Sequence, residues 1–314
     1  MGRGSTNMAG VRWLGFDLDH TLVQYRLGPL FRLIYSALID NIVTSSAGHL
    51  GYSRAEIFGE ANTDAGADFD ANAASLLVRG LVLDMEHGDF LKLDSDGCVR
   101  AARHGLQQPA QLGSAAIRRR YGTGPWRHYA GVKAGTRQPG LYRVFAENFD
   151  LPAVLLCARL VDLHDARRRK ATAAAAAPPY PFGEDLNAAF ELCYAPQQFA
   201  RGVGGYFPAV RDEPYRYVVD RRTSALARWL RATSSAPDGG SGDEAAAASR
   251  RQEQQVGQRR RPLRLFLVTN SAPDYASFLM DTVFGADSGA STSCTRTLAV
   301  CGRHSVRPAC MTTL

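Results

Sequence analysis

Residues 11–27 read VRWLGFDLDHTLVQYRL: an apolar run that stops at Asp17, followed one residue later by Asp19 and then by His20 and Thr21. Such a near-continuous apolar run predicts a buried parallel β-strand. The next segment, LFRLIYSALIDNIV over 30–43, places Leu30, Leu33, Ile34, Ala37, Leu38 and Ile42 at helical spacing, which predicts an amphipathic or buried helix. Residues 44–75 are polar and irregular, and 76–105 then switch to alternation. There Phe90–Leu93, Asp94-Ser95-Asp96-Gly97 and Cys98-Val99 predict two strands joined by a turn, with Gly97 at positive φ.

Further along, Asp150 reads as the N-cap of a helix with Pro152 in its first turn and Leu155, Leu156, Leu160, Val161 and Leu163 along it. Pro178 and Pro179 end any helical tract that continues through the alanines before them. Leu226, Trp229 and Leu230 predict another helix over 220–232. Residues 233–262 are poor in apolar side chains and read as a flexible insert. Order returns with LRLFLVTNSAPDYASFLMDTVFG over 263–285. Leu265–Val268 predict a second buried strand, and Thr269, Asn270 and Ser271 present polar groups at its end. Ser271 then suits an N-cap, Pro273 the first turn, Tyr275, Phe278, Leu279 and Val283 an apolar face, and Gly285 the C-cap.

At 314 residues the chain is long enough for a sizeable core. No run approaches the roughly 20 apolar residues that span a bilayer, so a soluble, membrane-free protein is expected. The net charge of +7 does not change this picture. Only Lys92, Lys133 and Lys170 are lysines, and the arginine runs 118–120, 167–169 and 259–261 lack the interleaved aromatics of a nucleic-acid platform; no nucleic-acid partner is expected. The six cysteines form no dense paired framework, which predicts a reducing, cytoplasmic setting. The spacing of Cys294, Cys301, His304 and Cys310 fits no common zinc finger. Residues 1–10 match a permissive N-myristoylation pattern, lack the apolar core of a signal peptide, and read as a disordered leader.

The candidate chemistry sits at the two strand ends. A DxD is also the composition of an ordinary solvated turn, but here the apolar run sets it at the end of a strand, where ligand sites of open α/β sheets gather. Alternation in an extended strand turns Asp17 and Asp19 the same way, with Leu18 toward the core. Two carboxylates so placed can supply a nucleophile, a proton donor and oxygen ligands for a hard cation. The second junction, a strand ending in hydroxyl side chains just before a helix N-terminus, is an anion site or a plain capped junction.

Asp17-Leu18-Asp19-His20-Thr21 resembles the DxDxT motif of the haloacid dehalogenase superfamily, and Thr269 resembles the hydroxyl residue of its second motif. GFDLDHTLVQY, GLVLDMEHGDFLKLDSDG, ARHG, FDLPAVLLCARLVD and LVTNSAPDYASFLMDTVFG together look like the cytosolic 5'-nucleotidase family, over residues 11–285. That resemblance implies an α/β fold, a Rossmann-like core with an inserted α+β cap domain. Core sequence would occupy 11–29 and 218–285. The cap would occupy 30–217, with a low-complexity tract at 166–179.

The same resemblance implies Mg²⁺-dependent hydrolysis of a nucleoside monophosphate or other phosphomonoester through an aspartyl-phosphate. Asp17 would be the nucleophile and Asp19 the general acid/base. Thr269 and Asn270 would bind phosphate, and the Asp17 carboxylate with the Asp19 backbone carbonyl would hold Mg²⁺. Thr21 would support the loop, and His20 would face solvent or lie behind the reacting groups. A homo-oligomer is a possible state.

The chain departs from the superfamily pattern downstream. No lysine follows Lys170, and the acids after Thr269 are Asp274, Asp281 and Asp287, with no paired acidic strand end. Residues 286–314 form a Ser/Thr/Cys-rich stretch expected to be a disordered tail. The expectation is therefore an incomplete core, its sequence replaced after Gly285, with activity impaired. The alternative is a non-catalytic nucleotidase-like binding or scaffold protein.

Overall fold

The computed structural model describes residues 11–45, 50–59, 64–106, 111–136, 138–170, 179–234, 263–285 and 299–302. From the amino end these form β1 (Trp13–Asp17), α1 (Leu27–Thr44), α2 (Arg54–Phe58), α3 (Ala65–Asn72), β2 (Leu81–Asp84), β3 (Asp89–Leu93), β4 (Val99–His104), α4 (Ser114–Tyr121), α5 (Tyr129–Lys133) and β5 (Tyr142–Phe145). There follow α6 (Pro152–Lys170), α7 (Gly183–Tyr194), α8 (Pro196–Arg201), α9 (Tyr206–Asp212), α10 (Pro214–Tyr217), α11 (Ala225–Ser234), β6 (Arg264–Thr269), α12 (Pro273–Phe284) and β7 (Ala299–Gly302). The fold is mixed α/β, with one parallel and one antiparallel sheet. The chain divides into two compact units, Met1–Arg26 with Pro214–Leu314, and Leu27–Glu213. The second unit therefore opens three residues before and closes four residues before the 30–217 span read from sequence. Its lower edge follows from α1 starting at Leu27, and its upper edge from α10, whose chain returns to the loop after β1.

In the first unit β1 and β6 pair in parallel from Trp13↔Arg264 to Asp17↔Val268, and β7 extends the sheet in the order β1-β6-β7. Part of the stretch expected to be a disordered tail is thus a strand; residues 286–298 and 303–314 lie outside the described residues. Burial along the strands alternates. Leu265, Leu267 and Thr269 are buried and Leu14 and Phe16 half-buried, while Trp13, Gly15, Asp17 and Arg264 are exposed. The expectation of strands buried on both faces is not met among the described residues. On the covered face Trp229 of α11 meets Phe16 edge-on at 6.1 Å. On the other, Trp13 lies edge-to-face with Phe266 at 6.4 Å under the Arg264 guanidinium, 5.2 Å from its ring. Gly15 makes room for Phe266, whose ring would stand 2.5 Å from any Cβ there. Helix α12 buries Tyr275, Ala276, Leu279, Met280, Val283 and Phe284 and ends at Gly285, φ 62°.

In the second unit β2–β5 form an antiparallel sheet in the order β4-β3-β2-β5. The turn between β3 and β4 is the one its residues predict: Gly97 has φ 83°, and the Asp94 carboxylate accepts from the Asp96 and Cys98 amides at 3.0 and 2.8 Å. The buried faces of α1 and α6 pack together with α7, led by Leu30, Ile34, Leu38, Leu155, Leu160 and Leu186. Residues 166–170 of the low-complexity tract belong to α6, and 171–178 lie outside the described residues.

One polar network ties the hairpin strands to α4 and α6. Asp89 is fully buried and accepts from His104 Nδ1 at 2.8 Å, from the Tyr121 hydroxyl at 2.7 Å and from Arg120. His104 Nε2 reaches Asp165 at 2.7 Å, whose other oxygen accepts from Tyr180 at 2.7 Å. Both imidazole nitrogens face carboxylates, so only the doubly protonated ring serves both. Bonds to Asp165 and Asp89, opposed by burial, push the His104 pKa up to about 9 from 6.5. Burial pulls Asp89 upward, but His104, Tyr121 and Arg120 together hold it below the ordinary carboxylate range. A raised folded-state histidine contributes stability that is complete below pH 6.5 and lost as pH rises through about 9. His104→Gln is accordingly expected to cost on the order of 1–3 kcal/mol at pH 6 and much less at pH 10, read by urea unfolding at both values; an equal loss at the two would contradict this.

Candidate functional site

Strand β1 ends at Asp17, and the chain closes a tight loop on itself. The Leu18 carbonyl accepts from the amides of Leu22 and Val23 at 3.0 and 2.9 Å, and His20 N–H donates to Val23 at 2.9 Å. Leu18, Leu22 and Val23 fill the core beneath the loop. His20 carries the strain of the turn at φ 62°, the single positive φ outside glycine among the described residues. The loop is then pinned from 200 residues away. Tyr25 bridges Val218, Arg26 N–H donates to Tyr217 at 2.7 Å, and Val219 N–H donates to Gln24 at 2.9 Å. Arg221 Nη1 donates to the Leu22 carbonyl at 3.2 Å, and its own N–H is held by Val283 of α12 at 3.0 Å.

The two aspartates therefore stand on different backbone. Asp17 is the last strand residue and Asp19 lies in the turn, so the loop closure rather than strand alternation carries Asp19 into the site. Asp17 is exposed, and its Oδ1 accepts from the Leu18 amide at 3.0 Å. Asp19 is half-buried; its Oδ1 accepts from the Tyr25 hydroxyl at 2.6 Å and its Oδ2 from the Ser271 hydroxyl at 3.3 Å. Burial raises the Asp19 pKa above the usual carboxylate value; the bonds from Tyr25 and Ser271 offset part of this, and the neighbouring Asp17 charge adds to it. One carboxylate is thus open to solvent beside another that is partly desolvated with a raised pKa, so the two differ in environment.

The register Asp17↔Val268 brings the second strand end alongside. Thr269 is buried, and its Oγ1 accepts from the Ser271 amide at 3.0 Å; Asn270 is exposed. Ser271 is not the N-cap its sequence position suggests. Ala272 holds that place with no side-chain bond, because the Ser271 hydroxyl is turned to Asp19 and Pro273 at the first helical position has no N–H to cap. The structure thus brings Asp17, Asp19 and Thr269 to one sheet edge and adds Ser271, Tyr25 and Arg221. Periodicity could not have found these three: Ser271 and Arg221 act through bonds to residues 252 and 199 positions away, and Tyr25 through a bond to Asp19 made by the closed loop. The TNS triplet was the available hint for Ser271.

Oxygen donors for a hard cation are present: the Asp17 carboxylate, and the Asp19 carbonyl, which the loop's own backbone bonds to Leu18 and Val23 leave unused. This partial set fits Mg²⁺, which is commonly held by one or two protein oxygens together with water and substrate phosphate. In the other unit Asp84, Glu86 and His87 bring one ligand atom each within 4.8 Å, but Asp84 is committed to His87 at 2.7 Å and Tyr121 at 3.1 Å, and Glu86 to Arg127. Cys294, His304 and Cys310 lie outside the described residues, and nothing is described of the Cys301 side chain.

A sequence profile of the 5' nucleotidase family matches residues 3–231. The chain belongs to the 5'-nucleotidase family. It is 28% identical over 281 residues to 5'-nucleotidase domain-containing protein 1 of Bos taurus, and 30% identical over 284 residues to the Homo sapiens protein of the same name. Each alignment covers 90% of this chain, so the chain spans about half, 51%, of the length of these curated relatives. The family match includes Asp17, Asp19 and Tyr25; Thr269 and Ser271 lie beyond it. Among the described residues no helix is long and apolar enough to cross a membrane.

Thr269 Oγ1 accepts from the amide of Ser271, the residue whose hydroxyl reaches Asp19 from the other strand end. Thr269→Val keeps the shape and removes that acceptor, and is expected to lower stability by about 1–2 kcal/mol; an unchanged urea midpoint would contradict the assignment.

Proposed function

We propose that this 5'-nucleotidase family chain builds a phosphoryl-transfer site on a haloacid dehalogenase-like core, with residues 27–213 as the inserted cap, and that its substrate is a nucleoside monophosphate. The observation that carries the reading is the convergence of an exposed Asp17, an acid-biased Asp19 and the Thr269 strand end on one edge of paired parallel strands. A carboxylate oxygen of Asp17 attacks phosphorus as the bond to the leaving oxygen breaks, and the Asp19 proton passes to that oxygen. Water then attacks the aspartyl-phosphate, Asp19 takes its proton, and phosphate leaves with the Asp17 carboxylate restored. The Thr269 hydroxyl, with Asn270 beside it and the N-terminus of α12 behind it, faces the anionic group with donors and a positive dipole end. The Asp17 carboxylate and the Asp19 carbonyl would hold Mg²⁺, which would neutralise phosphoryl charge there. The buried, reduced thiols of Cys157 and Cys193 suit a cytoplasmic setting.

A second reading is favoured by one observation: Thr269 is buried and its Oγ1 is already engaged by the Ser271 amide. On that reading the chain keeps the nucleotidase shape as a non-catalytic binding or scaffold protein. Phosphate release from nucleoside 5'-monophosphates in the presence of Mg²⁺ separates the two. The catalytic reading expects Asp17→Asn to reduce release by at least about 10³-fold; equal release from wild type and variant would overturn it.

A further inference from the structure

The loop after β1 holds Asp19 asymmetrically. Its Oδ1 takes a short bond, 2.6 Å, from the Tyr25 hydroxyl, and its Oδ2 a long one, 3.3 Å, from the Ser271 hydroxyl. The two donors differ in freedom as well as in distance. Tyr25 is 5% exposed, its backbone pairs with Val218, its neighbours Gln24 and Arg26 are bonded to Val219 and Tyr217, and its ring lies 5.2 Å from that of His20. A phenol so fixed holds its hydroxyl against Asp19 Oδ1. Ser271 is half-buried on the other strand end, and a serine hydroxyl rotates about its Cβ–Oγ bond, donating to a carboxylate oxygen or accepting from a carboxyl O–H with no movement of heavy atoms.

We propose that Tyr25 is a positioning residue that clamps Asp19 through Oδ1, leaving Oδ2, beside Ser271, as the oxygen that carries the proton to the leaving group. The proposal rests on the phosphomonoesterase reading above and assigns the two carboxyl oxygens their parts. In the transfer step the Oδ2–H bond breaks and its proton joins the departing oxygen while the phosphorus–oxygen bond breaks. The Ser271 hydroxyl turns from acceptor to donor as Oδ2 becomes charged, and the Tyr25 bond to Oδ1 persists throughout. Without the Tyr25 hydroxyl the carboxyl rotates about its Cα–Cβ and Cβ–Cγ bonds, and delivery of the proton loses its orientation, although Asp19 keeps its chemistry. Misplacement of a reacting group by about 1 Å costs roughly 10²-fold in rate.

Tyr25→Phe preserves the ring and removes the clamp. Proton delivery matters most for an alkoxide-like leaving group such as a nucleoside, and least for p-nitrophenolate, which departs without help. The measurement is therefore kcat/KM for a nucleoside 5'-monophosphate divided by kcat/KM for p-nitrophenyl phosphate, in wild type and variant with Mg²⁺. The ratio is independent of the fraction of folded protein, so a partly misfolded variant still reports. The expected result is a fall in the ratio of at least tenfold. A ratio equal to wild type, whether both rates fall together or neither does, overturns the positioning role and leaves the enzymatic reading standing. A wild-type chain that hydrolyses neither ester overturns the enzymatic reading and this role with it.

Discussion

The parallel pairing of β1 with β6 is the constraint on which the site depends. It joins Asp17 to Val268 across 251 positions of sequence, and the bond from Ser271 to Asp19 spans 252. Parallel strands cannot be joined by a tight turn, and a crossover must lie between them. Here that crossover contains a complete compact unit of its own, Leu27–Glu213, with its own antiparallel sheet and helical core. The chain leaves the first unit at Arg26 and re-enters it at Pro214, and the bonds from Arg26 to Tyr217 and from Val219 to Gln24 draw these two crossing points together. The same short tie holds Tyr25 in place.

Within that frame, environment rather than residue type separates the two aspartates. Both are carboxylates on the same five-residue motif. Asp17 stands in solvent with one amide on it, whereas Asp19 is drawn under the loop between two hydroxyls. Desolvation favours the neutral acid, and the nearby Asp17 charge acts in the same direction. Two like groups in unlike environments can take unlike chemical parts. The second buried cluster, around Asp89 and His104, has the opposite character. Every carboxylate oxygen described there meets a donor, and its charges cancel locally, so it binds the unit together and offers no open coordination.

Much of this was legible in the residues. The helical spacing at 30–43 became α1, Gly97 took its positive φ, and the apolar runs before Asp17 and Thr269 became strands. These features are local, fixed by side-chain period and backbone freedom. What could not be read was set by pairing at a distance. The alternating burial of β1 and β6 reflects which helices cover the sheet, and a run such as VRWLGF looks the same whether one face or two are covered. Ser271 had two hydrogen-bonding outcomes open to it, and proximity to Asp19 decided between them. The backbone partner of Tyr25, Val218, and the bonds of Arg221 follow from the return of the chain at 214–221. Resemblance to the 5'-nucleotidase family located the motif residues, and the structure supplied the groups that hold them.

The central claim is that Asp17 is the group that accepts the phosphoryl moiety. The most direct measurement is chemical trapping: protein mixed with a nucleoside 5'-monophosphate and Mg²⁺ is acid-quenched, treated with borohydride, and its peptides sequenced by mass spectrometry. An acyl phosphate on Asp17 is reduced to homoserine, so the account predicts homoserine at position 17 and unmodified aspartate at position 19. Homoserine at another acidic residue, or phosphate release with no conversion at position 17, would contradict it.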